Sequence, residues 1–252
     1  MSEPTSFKDH FSGHAAAYAE ARPGYPPELF AWLADEAPKR ECAWDCATGN
    51  GQAARALAEH FARVIATDAS AEQVANAHPH PRIAYRVAPA ESPDLEPQSV
   101  DLVTVAQAVH WFDRPRFYAA ARKALVPDGL IALWSYDLLT IVPAIDAVIS
   151  NFYDGSLIGP YWPPERRLVD ERYATLDFPF EEIAAPDFHM RQSWTLAQVL
   201  AYLGTWSGAQ RYRRAEGRDP VATIVPELQR LWGDTPQREV SWPLYLRAGR
   251  VV

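Results

Sequence analysis

The chain has 252 residues, 48% apolar and 22% charged, which is enough to bury one sizeable core. Its net charge of −8 and the lack of a Lys/Arg run argue against a nucleic-acid-binding face, because phosphate contacts need clustered positive charge. Apolar runs such as Leu130 to Trp134 are too short to cross a bilayer, and Met1 to His10 has no apolar signal core, so a cytoplasmic protein without a membrane partner is expected.

In chain order, Phe7 to Ala37 reads as two helices split by the turn Arg22-Pro23-Gly24-Tyr25-Pro26-Pro27. Cys42 to Cys46 reads as the first strand. Its two cysteines would lie roughly 13 Å apart on one strand, too far for a disulfide. Gly51 to Phe61 reads as a helix with Ala54, Leu57, Ala58 and Phe61 on one face. Val64 to Thr67 is the second strand, ended by Asp68; Ala71 to Ala77 is a short helix; Ile83 to Ala88 is the third strand. Val100 to Ala106 is rich in Val, as a doubly buried strand should be. Arg116 to Leu125 is a helix stopped near Pro127 and Gly129, and Leu130 to Tyr136 is the fifth strand.

This alternation predicts a doubly wound, mostly parallel α/β sheet. Ile141 to Leu231 reads as mostly helical, broken by a strand around Phe180 to Arg191. Glu239 to Arg247 alternates well enough to close the sheet. The expected organisation is one domain over 1–252: a core of about 40–140, an N-terminal cap over 1–38, and a C-terminal cap with the last strands over 141–252. The prolines from Pro160 to Pro164 suggest a loop over a site.

The sharpest local signal is Asp45-Cys46-Ala47-Thr48-Gly49-Asn50-Gly51, between the first strand and its helix. Glycines there let the backbone turn tightly and approach a ligand. In a doubly wound sheet, ligands bind at the carboxyl ends of the strands, where this loop would lie. Asp68, at the end of the second strand, is placed to accept hydrogen bonds from both hydroxyls of a ribose. Its alternative is a helix N-cap, a role Ser70 can also fill. Gly49, Gly51 and Ala54 also fit a dinucleotide fingerprint, but there the strand runs almost directly into the first glycine.

The layout from Asp45 to Gly51 resembles the first motif of class I S-adenosylmethionine-dependent methyltransferases, with Ala47 where that family usually has a glycine. Ala90-Glu91 resembles the family segment flanking adenine, and Ser99 to Val103 its fourth-strand motif. Gln107-Ala108-Val109-His110-Trp111-Phe112 resembles the type 11 branch that includes trans-aconitate methyltransferases and related small-molecule enzymes. Tyr18-x-x-x-Arg22-Pro23-x-Tyr25-Pro26, Thr205-Trp206-Ser207 and Trp242-Pro243-Leu244 resemble that branch too.

The resemblance implies a seven-stranded Rossmann-like sheet and S-adenosylmethionine as cofactor. It assigns Asp45, Ala47, Thr48, Gly49 and Gly51 to the methionine side, Asp68 to the ribose, Ala69 and Glu91 to the adenine border, and Gln107 to the methionyl group. Tyr18 and Arg22 would cap the cofactor, Arg22 pairing its carboxylate. The expected activity is methyl transfer to a small-molecule acceptor, a carboxylate or a hydroxyl. The alternatives are an NAD(P)-dependent oxidoreductase on a similar sheet and a non-catalytic cofactor-binding homologue.

His110, just past the fourth strand, is the candidate base or acceptor-orienting residue, or else a satisfied structural histidine. Among 9 Trp, 11 Tyr and 10 Phe, Tyr25, Trp111, Tyr161 and Trp206 are candidates for an apolar acceptor wall, with core packing as the alternative. Phe112 and Trp162 belong to the same set. Arg166 and Arg167 would either pair an anionic acceptor or form a solvated helix start. No His/Cys/Asp cluster has metal-ligand spacing, so no metal is expected. A monomer or a homodimer fits the sequence equally well.

Overall fold

The computed structural model describes residues 23–251. Tyr18 and Arg22 lie outside them, as does the first expected helix. The described part of the N-terminal cap is α1 (Pro27–Glu36), started by proline at its first position and burying Leu29, Phe30 and Leu33.

Five parallel strands follow: β1 (Cys42–Cys46), β2 (Arg63–Asp68), β3 (Ile83–Val87), β4 (Val100–Ala106) and β5 (Leu125–Tyr136). Between them run α2 (Gln52–Leu57), α3 (Ala71–Ala75) and α4 (Arg114–Ala124). The C-terminal region carries α5 (Pro143–Asp154), α6 (Arg167–Asp170), β6 (Glu181–Ile183), β7 (Phe188–Trp194), α7 (Leu196–Gly204), α8 (Ser207–Glu216), α9 (Val225–Trp232) and β8 (Arg238–Arg250).

The order across the sheet is β3-β2-β1-β4-β5-β8-β6, with β7 also paired to β8. β8 is antiparallel to β5, and both β6 and β7 are antiparallel to β8. The expected seven positions are therefore present, and the last is shared by two strands. The single strand expected near Phe180 to Arg191 is broken between Ile183 and Phe188, at Ala184-Ala185-Pro186-Asp187. Proline removes a ladder donor there.

Successive residues of each strand feed two cores, one on each face of the sheet. Ala43, Val64, Ala66, Leu102, Ala132 and Trp134 join α1, α2, α5, α7, α8 and α9. Trp44, Ile65, Val103, Val105, Ile131 and Leu133 join α4 and the Tyr173–Phe180 segment. Both faces of β1 and β4 are buried, which is why those runs are mostly apolar, and their polar residues Asp45, Asp101 and Thr104 are buried with them.

Most element ends shift by one to three residues from expectation, as the short helix to Ala75 and the last strand to Arg238–Arg250 do, and three shifts have a local cause or a larger size. α2 ends at Leu57 rather than Phe61. α4 starts two residues earlier, because the Asp113 side chain caps it by accepting from Arg116 N. β5 begins at Leu125, and a register irregularity against β4 absorbs Pro127 and Gly129.

Candidate active site

β1 and β4 lie side by side, and their carboxyl ends frame the site. After β1 the backbone enters the left-handed region at every second residue: Ala47 at φ +55°, Gly49 at +58° and Gly51 at +85°. Ala47, standing where the resembled motif has a glycine, carries the strain that glycine would escape. Gln107, at the end of β4, is also left-handed, at φ +55°. Strained backbone of this kind concentrates where a ligand must be met closely.

The loop is braced from below. Asp45 is 1% exposed, and its two carboxylate oxygens accept from Thr48 Oγ1 at 2.6 Å and Thr104 Oγ1 at 2.8 Å. It lies under the turn rather than on an open surface. Burial pushes its carboxyl up to about 6, against the pull of those hydrogen bonds. Thr48 N donates to Thr67 O at 2.9 Å, tying the loop to β2. A Cβ on Gly51 would overlap the Tyr85 hydroxyl. That hydroxyl, projecting from β3, is buried and has no hydrogen-bond partner among the described residues.

Asp68 is half-buried at the end of β2. Its Oδ2 accepts from Gly49 N at 2.9 Å and its Oδ1 from Ser70 N at 2.8 Å. One carboxylate thus couples the glycine loop to the turn after β2. Each of these backbone bonds uses one lone pair of its oxygen. The cap of α3 is Ser70, whose hydroxyl accepts from Gln73 N at 3.3 Å, and Ala69 sits between the two residues.

Glu91 Oε1 accepts from Asp113 N at 2.9 Å. It also lines an open groove of about 520 Å³ shared with Arg116 and Lys123 of α4. Gln107 N donates to Trp134 O at 2.9 Å, and its side-chain Nε2 to Tyr136 O at 3.4 Å.

Just past β4, a short 3-10 turn (Val109–Trp111) carries His110. His110 is buried, with Nδ1 2.9 Å from the Tyr173 hydroxyl and its ring 4.9 Å from that of Trp111. Burial, helped by the Arg166 guanidinium, pushes its imidazole down to about 3. It is neutral at physiological pH. Tyr25 sits edge-on to Trp134, with centroids 5.5 Å apart.

The cap aromatics divide. Trp206 is 5% exposed, stacked with Phe152 at 6.1 Å and edge-on to Tyr153 at 5.4 Å. It is packed into the cap's core, not set on an open wall. Tyr161 donates to Glu216 at 2.8 Å and meets Tyr212 edge-on. Among the described residues, no group of three or more His, Cys, Asp or Glu is gathered as a metal ion would require, and no helix is long and apolar enough to cross a membrane.

Residues 44–133 match the methyltransferase domain family. A protein of Dictyostelium discoideum named as a methyltransferase is 33% identical, over 96% of this chain and 95% of its own length. This chain is a class I S-adenosylmethionine-dependent methyltransferase. A structure from Anaeromyxobacter dehalogenans, described as a type II methyltransferase, superposes with a TM-score of 0.86 at 46% identity, covering 91% of this methyltransferase and 97% of that chain. A Haemonchus contortus phosphoethanolamine N-methyltransferase, solved with S-adenosyl-L-methionine, has a TM-score of 0.50 at 18% identity, covering 96% of this chain and 60% of its own. That likeness concerns the fold alone.

The residues of this methyltransferase fit its cofactor. The turn at the carboxyl end of β1 is built on left-handed glycines, and the acid hydrogen-bonded to it has the carboxylate oxygens that a ribose diol pairs with. Three contributors escape the sequence patterns: Thr104 bracing Asp45, Tyr85 beneath Gly51, and Tyr173 against His110. All three depend on contacts between elements distant in the chain.

Proposed function

We propose that this methyltransferase belongs to the trans-aconitate-methyltransferase-like branch and transfers a methyl group to a small molecule whose nucleophile is a carboxylate. The neutrality of His110 carries this reading. A buried imidazole pushed down to about 3 and engaged by Tyr173 is too weak a base to deprotonate a hydroxyl or an ammonium near neutral pH. A carboxylate is ionised there already.

The bound cofactor supplies an activated methyl group on a positively charged sulfur. A carboxylate acceptor would take that methyl group as an ester without first losing a proton, so the chain would need no base for it. The chain's part is alignment and exclusion of water. Asp68 holds the ribose, with Ala69 and Glu91 at the adenine border. Thr48, Gly49 and Gly51 meet the methionine side, Asp45 shapes their loop from beneath, and Gln107 sits by the methionyl group. Tyr18 and Arg22 cap the cofactor from outside the described residues. Tyr25 and Trp111 border the acceptor, and His110 orients it. Residues 1–252 are read as one domain; in support, the helical region after β5 returns through β8 to the same sheet.

The test is esterification of a panel of carboxylic acids, read as methyl esters by mass spectrometry. kcat/KM should be flat from about pH 6 to 8, since the nucleophile is ionised throughout. His110→Asn should retain the flat profile. A rate that climbs tenfold per pH unit across that range, or turnover of amines in place of acids, would refute the reading.

A further inference from the structure

We propose that Arg166 is the specificity-determining residue for the acceptor, its guanidinium anchoring a carboxylate of the small molecule. This rests on the acceptor reading above and adds the residue that enforces it.

Arg166 ends a 3-10 turn (Pro164–Arg166) of the cap, packed against the Val109–Trp111 turn that carries His110. Its Nε donates to the Tyr153 hydroxyl at 2.7 Å and to Asp170 Oδ1 at 3.3 Å. Tyr153 in turn donates to the same Asp170 oxygen at 2.5 Å. The guanidinium carbon lies 5.1 Å from the Trp162 ring centre and 5.5 Å from that of Tyr153. Two aromatic rings and a shared acid therefore fix the plane of the group through one edge only.

The opposite edge is unused. Neither Nη has a hydrogen-bond partner among the described residues, although the side chain is only 24% exposed. Neither Nη is among the buried donors left without a partner, so both stand open on that edge, where an incoming anion can reach them. A planar carboxylate pairs with such a fork through two parallel bonds. Asp170 is 46% exposed and is already shared with Tyr153, so it leaves positive potential on that edge. The same charge acts on the His110 ring, so the cation stands close to the carboxyl end of β4. Neighbouring arginines are spent otherwise. Arg167 is 80% exposed and paired with Glu171; Arg172 pairs with Asp137, and Arg247 with Glu182.

The test uses the full chain, saturated with S-adenosylhomocysteine and titrated with glutarate, succinate and butyrate and with the matched primary amides. Binding is read by calorimetry and by fluorescence of the tryptophans beside Arg166. Acids should bind about tenfold or more tighter than their amides, as a charge-assisted pair predicts. Arg166→Gln should erase that preference, raising KM for any acid that is methylated while kcat changes by less than about threefold. Arg166→Lys should restore it in part, supplying charge without the fork. The affinity for S-adenosylhomocysteine should be the same in all three proteins. Amides binding as well as acids, no acid binding at all, or an undiminished preference in Arg166→Gln would each overturn the proposal. The acid–amide comparison in the unaltered chain decides even where a variant folds poorly. Failure of S-adenosylhomocysteine to bind would count against the cofactor site instead, and acids that bind without becoming esters would count against the acceptor reading alone.

Discussion

Asp45 and Asp68 are both strand-ending acids, yet their surroundings give them opposite work. Asp45 is sealed under the loop, and its folded value of about 6 stands above the roughly 3.9 of an unfolded aspartate. The folded state thus binds this proton more tightly than the unfolded state does. The group costs stability above about pH 6, on the order of 3 kcal/mol, and that cost fades as pH falls toward 4. Asp45→Asn can still bond both threonines, donating to one and accepting from the other. Denaturant unfolding at pH 5 and pH 7.5 should show the native chain losing stability with rising pH from this site while the variant loses less; identical slopes would argue that Asp45 is not strained by its burial. Asp68 by contrast is half-buried and holds two backbone N–H groups. Asp68→Ala removes the proposed ribose acceptor and frees Gly49 and Ser70, so S-adenosylhomocysteine affinity should fall about a hundredfold or more by calorimetry. A folded variant with unchanged affinity would move the ribose elsewhere.

At the scale of elements, the turn between β1 and α2 concentrates the strain. Gly51 is left-handed, and a side chain there would collide with Tyr85 across β3. Gly51→Ala should therefore cost roughly 1–3 kcal/mol, through both φ and overlap, and weaken cofactor binding. Adding Tyr85→Ala should recover the overlap part alone, leaving the backbone part. Ala47 offers the reverse experiment. Ala47→Gly relieves a left-handed alanine and should raise stability by up to about 1 kcal/mol, less the added chain entropy of glycine. A drop in midpoint temperature would mean that the alanine methyl packs usefully. The sequence marked this turn through its glycines and the two flanking acids, because those residue types are what a tight turn requires. It did not mark Tyr85, whose part depends on the register that sets Tyr85 opposite Ala66 of β2.

Across the whole molecule, the cap is where sequence reading and structure part most. Trp206 looked suited to an acceptor wall, but it lies in a packed cluster with Phe152, Tyr153, Trp162 and Tyr202. Trp206→Ala should cost about 3–5 kcal/mol in unfolding free energy, as removal of a buried indole does, while S-adenosylhomocysteine binding at low temperature should persist if the proposed site at the strand ends holds it. A cost below about 1 kcal/mol would show the cap core to be loosely packed.

The chain by itself determined the alternating strands and helices, the sheet they build, the glycine turn and its two acids. Each of these is written in local period and residue type: largely apolar runs for doubly buried strands, glycines in the tight turn, carboxylates at strand ends. Only the tertiary structure decided which aromatics are core, that His110 is neutral against Tyr173, that Asp45 braces rather than faces the site, and that Arg166 is held by one edge beside the same turn. Those properties come from burial and from partners far away along the chain, and neither burial nor a distant partner has a signature in a single line of residues.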